Sequence, residues 1–205
     1  MAFFGARGRN LARISLMLLA AAASTGAVHA GSSPMVVGEL TSQPIGHYEF
    51  CKIRPEECAI RSRNVRPAQL TSALRSRIAS VNVLINKTIK PMSDLDIYGR
   101  DEVWAYPEQV GDCEDYVLLK RRMLRDEGMA MANLLITVVR KPDGEGHAVL
   151  TVRTDRGDFV LDNLNNAVRP WEKTGYRFLK RQAANHTGHW VSIHEGQTVL
   201  VGSLD

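Results

Sequence analysis

Cys113 lies in the stretch Gly111-Asp112-Cys113-Glu114-Asp115-Tyr116-Val117-Leu118-Leu119, where a loop gives way to a helical pattern. Backbone N–H groups at a helix N-terminus carry partial positive charge, which eases loss of a thiol proton and makes the sulfur a nucleophile. Asp112, Glu114 and Asp115 act in the opposite sense, because nearby negative charge disfavours a thiolate unless a cation neutralises it. A bound metal ion is the natural candidate. These acids would also suit the helix dipole on their own, but that does not explain why three of them surround one thiol.

Two further residues complete a possible nucleophilic set. His147 opens an apolar run, Ala148 to Val152, and Asp162 sits within Val160-Leu161-Asp162-Asn163. Nucleophilic cysteine catalysis needs an imidazole to take the thiol proton and a carboxylate or amide to orient the ring. Spacing alone leaves the ordinary alternatives open, a polar residue at a strand edge for His147 and a turn acceptor for Asp162.

The elements that must position these residues are legible from periodicity. Apolar residues Leu70, Leu74, Ile78, Val81, Ile85 and Ile89 recur at intervals of three and four between Pro67 and Pro91, which predicts an amphipathic helix over 67–90. Residues 91–111 lack periodicity and form a loop leading to the cysteine. In this loop Trp104 is either a core aromatic or a donor to an oxyanion. The cysteine helix runs from 113 to 127 with Gly128 as its stop, buries Tyr116, Leu119, Met123 and Leu124, and carries Lys120, Arg121, Arg122 and Arg125 as a solvated basic face.

Three β-branched runs follow, Leu134 to Arg140, Ala148 to Val152 and Phe159 to Leu164, joined by Gly-containing turns as an antiparallel meander. A loop of even length at the second turn pairs odd with even positions. Asp162 then lies opposite Val149 or Thr151 and shares a sheet face with His147, diagonal to it if opposite Val149.

At 205 residues, 44% hydrophobic and 23% charged, the chain has the composition of one globular domain. Arg7, Arg9 and Arg13 precede an apolar run from Ile14 to Ala23, and Ala27-Val28-His29-Ala30 offers small residues for cleavage. Residues 1–30 are expected to be a secretory signal peptide and 31–205 a single domain. The leader holds three arginines and no acid, so its removal leaves 23 basic against 22 acidic residues and takes the net charge from +4 to +1. That balance gives no case for nucleic acid as a partner. Export makes Cys51 and Cys58 a disulfide pair and leaves Cys113 as the reactive thiol. Residues 31–48, rich in Gly, Ser and Pro, are expected to be an extended lead-in in which His47 has no assigned partner.

The segments around Cys113, Gly146-His147-Ala148-Val149-Leu150 and Val160-Leu161-Asp162-Asn163-Leu164 resemble, in the right order, the three signature blocks of the bacterial transglutaminase-like cysteine proteinases, whose best-known members are LapG-type periplasmic proteases. The resemblance extends to Trp190. It implies an α+β, papain-like/transglutaminase-like fold with N-terminal helices and the cysteine helix packed on an antiparallel β-sheet. It further implies Cys113 as nucleophile, His147 as general base and then acid, Asp162 as the residue orienting His147, and Ca²⁺ held by Asp112, Glu114 and Asp115. The expected activity is a periplasmic, calcium-dependent cysteine endopeptidase acting on a protein such as a large surface adhesin, with an inner-membrane cyclic di-GMP receptor as regulator. The short lead-in and the Cys51/Cys58 pair depart from the LapG type. The oxyanion donors would be the Cys113 backbone N–H and one more group, with Trp104 as a candidate.

Three rival readings stand beside this one. The same three residues could transfer the acyl group to an amine, as a transglutaminase or amidase does. The chain could be a calcium-binding exported protein without catalysis. His186, His189 and His194 could hold zinc.

Overall fold

The computed structural model describes residues 32–194, with residues 1–3 and 5. The expected signal peptide lies outside the described residues apart from those four positions. The elements in chain order are β1 (Val36–Thr41), α1 (Ile45–Ile53), α2 (Pro55–Cys58), α3 (Ser72–Thr88), β2 (Lys90–Pro91), α4 (Asp94–Tyr98), β3 (Val110–Gly111), α5 (Cys113–Asp126), β4 (Leu134–Arg140), β5 (Gly146–Thr154), β6 (Gly157–Asp162), β7 (Asn165–Pro170), β8 (Arg177–Ala183) and β9 (His186–His194). The described residues build a seven-stranded antiparallel sheet in the order β1-β9-β8-β4-β5-β6-β7, together with a short parallel pair, β2 and β3.

Helices α3 and α5 cover one face of the sheet. Thr71 caps α3, its side chain accepting from the Leu74 N–H at 3.1 Å. Ile78, Val81, Ile85 and Ile89 are buried in the core shared with α5 and the sheet, as the three-and-four spacing requires. Gly128, with φ of +90°, ends α5: its N–H reaches the Arg125 carbonyl, and the Met129 N–H reaches Leu124. The opposite face of the sheet carries a smaller apolar cluster of Met35, Val139, Val149, Val160, Phe178 and Ile193.

The lead-in is more ordered than its composition suggests. In its described part only residues 32–35 and 42–44 lack regular structure; β1 pairs with β9, and α1 buries His47 and Phe50. Cys51 and Cys58 form a disulfide that joins α1 to α2. His47, only 1% exposed, packs edge-on against Trp104 and Trp190 and accepts a hydrogen bond from the Trp190 indole N–H at 3.2 Å.

Helix α5 departs from the expected wheel. Lys120 and Arg121 are buried, not solvated: Arg121 donates to the Leu134 carbonyl, and Arg125 pairs with Glu57 at 2.9 Å. Val117 and Leu118 are buried as well, so the helix is enclosed on most sides by β4, β5 and α3, with α2 held to it through the Glu57 pairs. A helix enclosed in this way has little solvated face left: Arg121 and Arg125 find partners inside, and the Lys120 amine is left without a hydrogen bond.

Candidate active site

The register of the meander decides whether His147 and Asp162 can meet. Strands β5 and β6 pair as Leu150↔Leu161, Thr151↔Val160 and Thr154↔Gly157, each pair summing to 311, across the two-residue turn Asp155-Arg156. Continuing that register, Asp162 falls opposite Val149, diagonal to His147. This is the even-loop geometry. His147 Nε2 lies 2.9 Å from Asp162 Oδ1, and both side chains are buried. The Asp162 carboxylate also accepts from the Leu164 N–H at 3.0 Å on Oδ1 and from the Tyr176 hydroxyl at 2.7 Å on Oδ2. Burial alone would raise its pKa, but the bonds from His147, Tyr176 and Leu164 outweigh burial and hold the carboxyl below its ordinary value. An ionised Asp162 takes the Nε2 proton as an acceptor, which leaves Nδ1 as the ring nitrogen available to a thiol.

Cys113 is the first residue of α5, half-buried and free. With Trp104, Glu102, Glu114, His147 and Ala148 it lines one cavity of about 320 Å³. Its thiol donates to Glu114 Oε2 at 3.0 Å. Burial first, and the Glu114 carboxylate second, push the thiol well above its ordinary pKa, although a hydrogen bond from the Ala148 backbone N–H works the other way. The opposition between helix terminus and acids thus resolves in favour of the proton.

Three carboxylates converge beside the sulfur. Oxygen atoms of Asp94, Asp112 and Glu114 lie within 4.8 Å of one another. Asp94 Oδ1 and Asp112 Oδ1 are buried without a hydrogen-bond partner. Burial first, and then a neighbouring charge, Asp94 for Asp112 and Asp112 for Glu114, pushes both carboxyls upward in pKa, although a hydrogen bond with Glu114 works the other way at Asp112. Two of the three expected ligands, Asp112 and Glu114, are in this set. The third acid is Asp94 in place of Asp115. Asp115 Oδ1 accepts the Ala105 N–H at 2.8 Å, so that carboxylate anchors the 91–111 loop to α5. Asp94 arrives because β2 and β3 pair in parallel, Lys90 beside Val110 and Pro91 beside Gly111, which brings the start of α4 to the start of α5. The local signal for it was slight, a Ser93-capped turn with Asp94 at its first position.

Trp104 is both a core aromatic and part of the cavity wall. It is 6% exposed, and its Nε1 is buried without a hydrogen-bond partner. The Cδ1–Nε1 edge lies against Gly46 so closely that any Cβ there would overlap the ring. Glu102, which lines the same cavity, has φ of +59°, a left-handed backbone uncommon outside glycine.

His186 and His189 stack at 3.9 Å, while His194 is exposed at the far end of β9. Among the described residues they form no convergent ligand set, and the other such set, His47 with Cys51 and Cys58, is engaged in the disulfide. Tyr176, which touches both His147 and Asp162, is a residue that sequence reasoning passed over.

The fold and the chain's sequence point the same way. The calcium-bound LapG of Legionella pneumophila superposes with a TM-score of 0.51 at 22% identity, covering 62% of this chain and 75% of that one. A second LapG structure from that organism gives 0.50 at 20% identity over 73% and 80%, and the EGTA-treated form 0.50 at 18% over 77% and 86%. No curated protein matches the chain in sequence. Residues 37–198 match the family described as bacterial transglutaminase-like cysteine proteinase, and with that match the chain belongs to the bacterial transglutaminase-like cysteine proteinases, a family of cysteine peptidases.

Proposed function

We propose that the protein is an exported, calcium-dependent cysteine endopeptidase whose nucleophile is Cys113, with His147 as base and then acid and Asp162 holding the imidazole. The observation that carries this reading is the His147–Asp162 bond at 2.9 Å, on a ring that shares a cavity with a free cysteine at a helix start. His147 Nδ1 would take the thiol proton, and the thiolate would attack a backbone carbonyl to give an oxyanion held by the Cys113 N–H and a second donor. The imidazolium would then protonate the leaving amine, and water activated by the same ring would release the acid product.

Asp94, Asp112 and Glu114 fit Ca²⁺: they are hard oxygen donors, close together, and two of them hold buried oxygens with no partner. When bound, the ion supplies positive charge beside the sulfur. Glu114 is the pivotal residue on the protein side, because its carboxylate now accepts the thiol proton that His147 has to take. The relatives described as calcium-bound and EGTA-treated support a calcium link. A periplasmic location, a surface adhesin as substrate and an inner-membrane cyclic di-GMP receptor as regulator belong to the same proposal and rest on the family likeness. The test is incubation of purified protein with fragments of exported adhesins, with Ca²⁺ or EGTA, beside Cys113→Ala. Cleavage that needs Ca²⁺ and the thiol is expected; cleavage by the alanine variant would remove the mechanism.

A further inference from the structure

We infer that Tyr176 is a positioning residue for this site, acting through Asp162 and His147 together. It lies in the connection between β7 and β8, and its hydroxyl meets the last residue of β6. Its hydroxyl donates to Asp162 Oδ2 at 2.7 Å, while Oδ1 of the same carboxylate faces His147 Nε2 at 2.9 Å. Its ring also stands edge-on to the His147 imidazole, centroids 5.6 Å apart and planes at 72°. A carboxylate bonded at one oxygen can rotate about χ2 and swing its second oxygen toward the first partner or away. With Tyr176 on Oδ2, His147 and Leu164 on Oδ1, both rotations break a bond. The aromatic edge closes one side of the ring, so the imidazole keeps the orientation that leaves Nδ1 for the cavity.

The charged surroundings are few. His147 faces Asp162 from β5, Lys120 acts on it from α5, and Arg169 on β7 and Asp143 in the β4–β5 turn act on the Tyr176 hydroxyl. Burial, and then the bond to Asp162, push that hydroxyl upward in pKa, so Tyr176 stays a proton donor throughout the working range. The small cavity behind Asp162, lined by Asn165, Thr174 and Tyr176, would let the carboxylate turn if the hydroxyl were removed.

This inference rests on the cysteine-peptidase reading, and alkylation separates the two because it needs no peptide substrate. Cys113 is the only free cysteine, so iodoacetamide at increasing pH, with Ca²⁺ present, reports how well His147 assists its ionisation. Tyr176→Phe removes one oxygen and keeps the ring. Near pH 6 its alkylation should be about tenfold slower than wild type, on the scale of one hydrogen bond to a charged group. The gap should narrow as the pH is raised further, because hydroxide then takes the thiol proton without the imidazole. Thermal unfolding is run in parallel, and Tyr176→Leu, which also loses the ring, should be slower still at low pH. A Phe variant matching wild type at every pH, or one slowed equally at every pH, would overturn the assignment of Tyr176 alone. A wild type reacting no faster than glutathione would overturn the peptidase reading beneath it.

Discussion

Lys120 offers a perturbation whose size can be worked out. Its amine is fully buried in the middle of α5, with no hydrogen-bond partner, and the Tyr116 ring, 5.6 Å away, and the charge of Asp162 favour its protonated form. Burial lowers its pKa from 10.5 to about 7. In the unfolded chain the same lysine stays protonated up to about 10.5. Between these values the unfolded state binds more protons, so stability must rise with pH, by about 1.4 kcal/mol per unit at most. Lys120→Met keeps the length and removes the charge. The variant should therefore exceed wild type by about 4 kcal/mol at pH 7, by about 2 kcal/mol at pH 9, and by almost nothing near pH 10.5. Urea unfolding followed by tryptophan fluorescence, with both proteins at each pH, cancels the groups they share. A stability difference that stays constant from about pH 7 to 10.5 would show that Lys120 is not an uncompensated buried amine, and the reasoning would fail.

Other outcomes follow from the same coordinates. His47 is buried neutral with its pKa lowered to about 3, first by burial and then by Arg121. Its unfolded form takes up a proton below about 6.5, so stability should fall as pH drops from there toward 3, and His47→Gln should flatten that part of the profile in acid titrations followed by circular dichroism. Replacing Cys51 and Cys58 by serine opens a short loop and should cost about 2.5 kcal/mol in urea unfolding; no change would mean the α1–α2 clasp adds nothing. Millimolar Ca²⁺ should raise the melting temperature of wild type and of Asp115→Asn but not of Asp94→Asn, and the reverse pattern would restore Asp115 as the ligand. Asp162→Asn should reduce alkylation of Cys113 near neutral pH by about a hundredfold or more, because the ring loses its charged anchor.

What could be read before folding was what depends on neighbours in sequence. The stripe on α3, the start and stop of α5 and the apolar, β-branched runs of β4, β5 and β6 are local patterns, and the two-residue turn at Asp155-Arg156 then fixed the facing of His147 and Asp162. The misses share one cause, pairing between distant segments. Asp94 became a neighbour of Asp112 only through the parallel β2–β3 pair. Strand β8 hides its character behind Arg177, Lys180 and Arg181, yet Arg181 is buried because Asp158 on β6 meets it at 2.9 Å. Lys120 and Arg121 looked solvated on a helical wheel because a wheel does not show what packs beyond it. Tyr176 follows a Gly-containing turn, Lys173-Thr174-Gly175, and no spacing rule links it to residues 147 and 162.

At one edge of the sheet the first and last strands of the described residues pair: β1 is hydrogen-bonded along β9, and the indole of Trp190 is the surface on which His47 and Trp104 rest. Trp104, one wall of the cleft, therefore rests on a strand that is made well after Cys113, His147 and Asp162. A chain growing from its N-terminus would carry its thiol, imidazole and carboxylate before the indole that supports that wall had been made.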